Sequence, residues 1–277
     1  NQEYRTLVQQ TEINFQTGIA NKIETVRALD TVMRSTCPSA SMWPNCSLTP
    51  EIFDTLTSPL ILMGGMSAMG TAPLISSSNQ KQLYEFEHYA SEVYLGAGLD
   101  SFGSWKYPNS TLRGVASVGE NGFYHDTQGN PDSSNDYLAP IMQISNSTQS
   151  EKARRSVLLN INREPTRADA IGEVVRCFEQ AAATNTSSDE CHRITEFIVP
   201  MLDFAVSPSA LLVHPVSIEG ELKGMVFSAH YWADIIQFSI PSSVSGLVVV
   251  ITCNEKTFTY KFHHGMVGAA EEGDTHD

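Results

Sequence analysis

From Glu3 to Arg34 the sequence has no proline and one glycine, Gly18. Its apolar residues Leu7, Val8, Ile13, Phe15, Ile19, Ile23, Val26, Leu29, Val32 and Met33 recur mostly at threes and fours. That is the spacing of one helix face. A helix of about 32 residues is about 48 Å long, longer than the usual globular helix. The rest of such a chain must pack along a rod, and the rod suits a stalk leading out of a membrane and along a domain. The 277 residues allow one large domain or two linked subdomains.

After the rod, "SLTPEIFDTL" offers Ser47 or Thr49 as N-cap with Pro50 in the first turn, so a second helix is expected. The uncharged stretch from Thr55 to Gln80 is long enough to raise the question of a membrane span. Its Pro59, Pro73, Gly64, Gly65 and Gly70 and its serine cluster read instead as buried strand and loop. A helix carrying Leu83, Phe86, Tyr89, Ala90 and Val93 on one side follows, then a region rich in Gly, Asn, Ser and Pro from Gly96 to Pro131. "DYLAPIMQIS", "SVLLNI", "ITEFIVPML", "ALLVHPVSIEGELKGMVFSAHYW" and "SGLVVVITC" are strand-like, with "IEGELKG" as a hairpin turn. "TRADAIGEVVRCFEQAAA" between two of them is a helix. Strands interleaved with helices, and hairpins dominating the second half, predict an α+β fold.

Cys37 and Cys46 flank a polar loop, as do Cys177 and Cys191, and each short-range pair predicts a local disulfide. Cys253 is the odd one, with a partner expected outside this chain or in a second copy. Asn-x-Ser/Thr sequons at Asn45, Asn109, Asn146 and Asn185 fall in segments that read as surface loops. Together these features favour an oxidising, secretory context. No signal peptide or spanning helix stands in the sequence, and the polar helical start suits an excised ectodomain. The formal charge of −14 repels a polyanion, which sets nucleic acid aside as a partner.

Motifs of chemistry are weak. "GAGLDSFG" lacks the third glycine of a dinucleotide loop, and "GGMSAMG" lacks the order of a nucleophile elbow. No helical pair of histidines accompanies a glutamate, so a zinc hydrolase has no support. His263, His264, His276, Glu271, Glu272 and Asp274 read as a solvated juxtamembrane tail rather than a metal site. His88, His125, His192, His214 and His230 stand alone, as surface or core residues do. No cofactor, no metal and no catalytic role is expected of this chain. What the motifs do offer is "SVLLNINREPTRADAIGEVVRC", where an apolar run ends on two amides, Asn160 and Asn162, and turns into a helix. Backbone donors converge at a helix N-terminus, so this stretch is a candidate pocket wall.

The order of these segments resembles the CHASE family, the extracellular sensory domains of receptor nucleotide cyclases and sensor histidine kinases. The resemblance is carried by the helix from Glu3 to Arg34, "YLAPI" at 137–141, "LNINREPTRADAI" at 159–171, "ITEFIVP" at 194–200, "LLVHPV" at 211–216 and "GMVFSAHYWADII" at 224–236. It covers nearly the whole chain. The residues from Ser245 to Asp277 look like the segment preceding the second membrane helix in receptor cyclases of unicellular eukaryotes.

The resemblance implies a long helix followed by two PAS-like antiparallel-sheet subdomains: a stalk with its disulfide-bounded loop at 1–46, a membrane-distal ligand-binding subdomain at 47–205, and a membrane-proximal one with the juxtamembrane tail at 206–277. It implies a ligand surrounded by Tyr137, Leu138, Pro140, Met142, Asn160, Thr195, Phe197 and Met201, with Asn160 and Thr195 on neighbouring strands. Where cytokinin receptors of the family grip a purine with an Asp, this sequence has Asn160, and an amide suits a neutral polar ligand. The expected protein is a receptor ectodomain on the extracellular side of the plasma membrane, tethered by flanking segments and working as a homodimer. It binds a small molecule or short peptide and drives a cytoplasmic nucleotide cyclase. A secreted or cell-surface adhesion module and a degenerate hydrolase are the rival readings.

Overall fold

The computed structural model describes residues 2–44, 46, 48–79, 81–82, 85–86, 136–146, 160–163, 165–196, 208–253 and 256–275. Within them the chain is α+β. The first helix, α1, runs Gln2–Thr36, as the unbroken apolar periodicity requires. Cys37-Pro38 ends it, because a residue before proline is pushed out of the helical region. Its C-terminal half buries Val26, Leu29 and Met33, while Val8 and Ile13 in the N-terminal half are exposed.

A 3-10 turn at Ala40–Met42 sits inside the Cys37–Cys46 disulfide, whose Cα atoms are 5.0 Å apart. Helix α2 then covers Pro50–Gly64, with the Thr49 hydroxyl accepting from the Ile52 N–H and Gly65 closing the helix at φ +54°. The expectation of strand and loop from Thr55 is therefore corrected. Thr55–Gly64 is helical in spite of Pro59, and the strand begins only at Ala68. No helix among the described residues is long and apolar enough to cross a membrane.

Five strands form an antiparallel sheet: β1 (Ala68–Pro73), β4 (Gln143–Asn146), β5 (Arg193–Ile194), β6 (Ser209–Ile218) and β7 (Glu221–Tyr231), in the order β4-β1-β7-β6-β5. A separate pair joins β2 (Ile75–Ser76) to β3 (Tyr137–Leu138). The β6–β7 hairpin turns through Glu219 and Gly220, both at positive φ, the two-residue turn whose twist matches paired strands. The Glu219 carboxylate accepts from the Ala40 N–H at 2.9 Å and so ties this turn to the disulfide loop.

Both faces of the sheet are covered, which is why "ALLVHPV" reads as a continuous apolar run. Leu212, Val216, Val226 and Met69 pack against α1 and α2, with Phe53, Ile61, Leu138 and Met142 in the same cluster. Leu211, Val213, Met225 and Phe227, one residue out of step, pack against helix α3 (Pro165–Thr184) through Ile171, Val174 and Val175. The Cys177–Cys191 disulfide, with Cα atoms 5.5 Å apart, fastens α3 to the loop before β5.

Strand β7 runs straight into helix α4 (Trp232–Ser239), and a smaller sheet follows. Its strands are β8 (Val248–Cys253), β9 (Lys256–His263), β10 (Met266–Val267) and β11 (Glu271–Glu272), with β9 between β8 on one side and β10 and β11 on the other. Ile236 and Ile240 pack on Tyr260 and Phe262 there. Two boundaries differ from expectation. The division at 205/206 is not where the sheets separate: Ser209–Tyr231 supplies the centre of the first sheet, and the second starts at Val248. The acidic run is not a free tail either. Glu271–Glu272 pairs with β9, and the Glu271 carboxylate meets Lys261 at 2.8 Å.

Candidate ligand-binding site

The two amides that end the apolar run serve the backbone. Asn160 is buried and its Oδ1 accepts from the Ala139 N–H at 2.9 Å and the Asn162 N–H at 3.1 Å. The Ile161 N–H donates to Ala139 O at 2.9 Å, and Asn160 bridges Pro140. Asn162 Nδ2 donates to Tyr137 O at 2.6 Å. After the 3-10 turn Ile161–Arg163, Pro165 opens α3, where its fixed φ and missing donor cost nothing. The amides thus staple the 137–140 segment to the start of α3.

Thr195 plays a similar part at the opposite edge of the sheet. Its N–H donates to Leu211 O and its Oγ1 accepts from the Leu211 N–H, both at 2.8 Å. Asn160 is bridged to Pro140 and Thr195 is bonded to Leu211, so the two do not lie on neighbouring strands as expected. They flank one packed cluster, which holds Ala139, Ile161 and Leu211.

Beside α3 a cleft of about 330 Å³ opens between Asp136, Tyr137 and Asn162 on one side and Ala168, Ile171, Gly172, Val175, Arg176 and Glu179 on the other. These α3 positions recur at threes and fours, one face of the helix. Nothing lies within 4 Å of where a side chain on Gly172 would begin, so the glycine itself holds the cleft open. The volume is within the usual range for small-molecule sites. Carboxylates of Asp136 and Glu179 and the Arg176 guanidinium give its walls charge of both signs, and Ile171 and Val175 give them an apolar base.

Of the eight residues expected to surround a ligand, Tyr137 lines this cleft. Leu138 and Met142 belong to the cluster under α1 and α2, and Pro140, Asn160 and Thr195 are buried among backbone partners. Phe197 and Met201 lie outside the described residues. The stretch was read as a pocket wall for its two amides, whereas the cleft uses its helix face, where the small residues Ala168 and Gly172 stand beside Ile171 and Val175. Among the sequons, Asn185 is exposed at φ +52° just past the end of α3. Asn146 is half-buried at the end of β4, and Asn45 and Asn109 lie outside the described residues.

Two histidines have polar neighbours under α1. Ser228 Oγ lies 2.8 Å from His230 Nε2, a nucleophile within reach of a base. Both side chains are buried, and His230 Nδ1 has no partner among the described residues. Among the described residues no acid meets the ring, and Ser228 and His230 are closed off from solvent. Burial, with Lys22 adding to it, pushes the His230 pKa well below the ordinary value, so the ring is neutral. His214 Nε2 lies 3.6 Å from Asp30 Oδ2, which also takes Arg34 at 2.7 Å. Among the described residues no three His, Cys, Asp or Glu side chains gather so as to hold a metal ion.

No family model matches the chain, and no curated protein matches it.

Proposed function

We propose that this chain is the extracellular ligand-binding sensor domain of a transmembrane receptor, passing occupancy by a small molecule or short peptide to a cytoplasmic nucleotide cyclase. The observation that carries the reading is the placement of α1 and the cleft about one sheet. The cleft opens beside α3 on one face, while α1 packs on the other face and also contacts α4, which leads to the second sheet. A ligand pressing on α3 would bear on β6, and β6 is packed on both helices. The antiparallel sheet, in the order β4-β1-β7-β6-β5 with helices on both faces, agrees with the α+β class that the CHASE resemblance implies. The two disulfides are consistent with an extracellular or secreted setting.

In this reading α1 is the helix through which two receptor copies meet, with Ile13 exposed and Ile19 partly so. Replacing both by Asp in the membrane-tethered receptor is expected to abolish the ligand-dependent change in cyclic nucleotide while the domain melts as the parent does. Unchanged output would mean that α1 serves only the domain's own core, as an adhesion module would require.

A further inference from the structure

A second cleft, about 380 Å³, shares no lining residue with the one beside α3 and opens where α1 passes between the end of α2 and α4. We propose that it binds a small neutral amphiphile, a hydroxyl- or amide-headed molecule with an aliphatic or aromatic body. The site goes beyond the sensor reading above and does not depend on it.

The α1 wall is polar and partly prearranged. Lys22, 5 % exposed, donates from Nζ to Gly64 O at 2.6 Å and Gly65 O at 3.0 Å, the end of α2. Asn14 Nδ2 donates to Ser239 O at 3.0 Å. Thr17 and Asn21, one turn apart on the same face, make no side-chain hydrogen bond among the described residues and are open to a ligand. Between them Gly18 leaves the helix backbone bare, and a side chain there would meet nothing within 4 Å.

The rim is apolar. Leu62, Met63 and Phe238 are 73 %, 80 % and 69 % exposed around this one opening. Three large apolar side chains held in water around a polar wall mark a place that something covers. An occupant that satisfies both must be amphipathic. Charge decides its head. Lys22 is the one ionisable group in the lining. Its ammonium is spent on the two carbonyls and is offset by Asp234, the acid whose charge acts on it. An anionic head would face the carbonyl end of α2, where Gly64 O and Gly65 O already hold the Lys22 ammonium, and a cationic head would face Lys22 itself. A neutral head that accepts from Asn21 and Thr17 meets neither penalty.

The test is a titration of the glycosylated domain, labelled with ¹³C-methyl methionine, using hexanamide, hexanoate and hexylamine as probes, with the Met63 resonance assigned through Met63→Leu. Hexanamide is expected to shift the Met63 methyl signal saturably, with at least fivefold tighter binding than either charged probe. Gly18→Leu, which fills the cleft from a position with open space, should abolish the shift without lowering the melting temperature. Thr17→Ala with Asn21→Ala should weaken binding several-fold and serves as the milder variant if Gly18→Leu folds poorly. No saturable shift in the parent, equal binding by Gly18→Leu or by the double variant, or a preference for hexanoate or hexylamine would each overturn the proposal.

Discussion

Asn160 shows how one side chain can be read correctly as special and wrongly as to why. An uncharged amide where a buried strand feeds a helix invites a ligand, yet its Oδ1 is taken by two backbone N–H groups, of Ala139 and Asn162. Composition does not reveal such a use, because one of the donors, the Ala139 N–H, comes from a segment 21 residues away. Asn160→Ala should therefore cost stability first, about 2 to 4 kcal/mol from two buried donors left without an acceptor, read as a lower urea midpoint. A variant as stable as the parent would show that these bonds contribute little. Lys22 offers a pH test. Burial lowers its pKa from 10.5 to about 8, partly opposed by Asp234. Between those values the unfolded chain holds the proton and the folded one has begun to lose it. Stability should therefore rise with pH from about 8 upward, and the cost of burying the charge is fully present below pH 8. Tyr260, held up at about 12, titrates above this window. Urea titrations from pH 7 to 9.5 should show the rise in the parent and lack it in Lys22→Met; parallel curves would remove Lys22 as its source.

At the scale of elements, periodicity was legible wherever the chain makes its contacts locally. The 3.6-residue pattern gave α1 and α3, and "IEGELKG" gave the β6–β7 turn. Legibility failed where local signals conflict. Pro59, Gly64 and Gly65 hide the second half of α2, because a helix packed on α1 and the sheet tolerates a proline that an isolated one would not. The pairing of Glu271 and Glu272 with β9 left no apolar trace, since both face solvent. The cleft face of α3 was written in Ala168 and Gly172, yet small residues in a helix announce nothing until the opposite wall, Asp136 to Tyr137, is placed. The Cys177–Cys191 link closes a loop of 14 residues, so replacing both cysteines by serine should cost about 3 kcal/mol, mainly by freeing the unfolded chain. Its direct check is non-reducing peptide mapping followed by urea unfolding. Free thiols at these positions in protein expressed through a secretory pathway would remove the support that the pair gives to an extracellular setting.

For the whole molecule, the place where the two sheets divide, between Tyr231 and Val248 rather than at 205/206, was hidden because sheet order is set by pairing between distant segments: β1, at residues 68–73, lies beside β7, at 221–231. The resulting layers place α1 on one face of the sheet and α3 with its cleft on the other, the arrangement that the proposed sensor would need to carry a binding event to α1. Native mass spectrometry of the domain, expressed in and purified from secreting cells, tests the central claim most directly. The account predicts a small molecule retained by the parent protein and lost from Gly172→Leu, which fills the α3 cleft from a position with nothing within 4 Å, while Gly18→Leu retains it. A parent protein that carries no ligand, or a ligand held equally by Gly172→Leu, would contradict it.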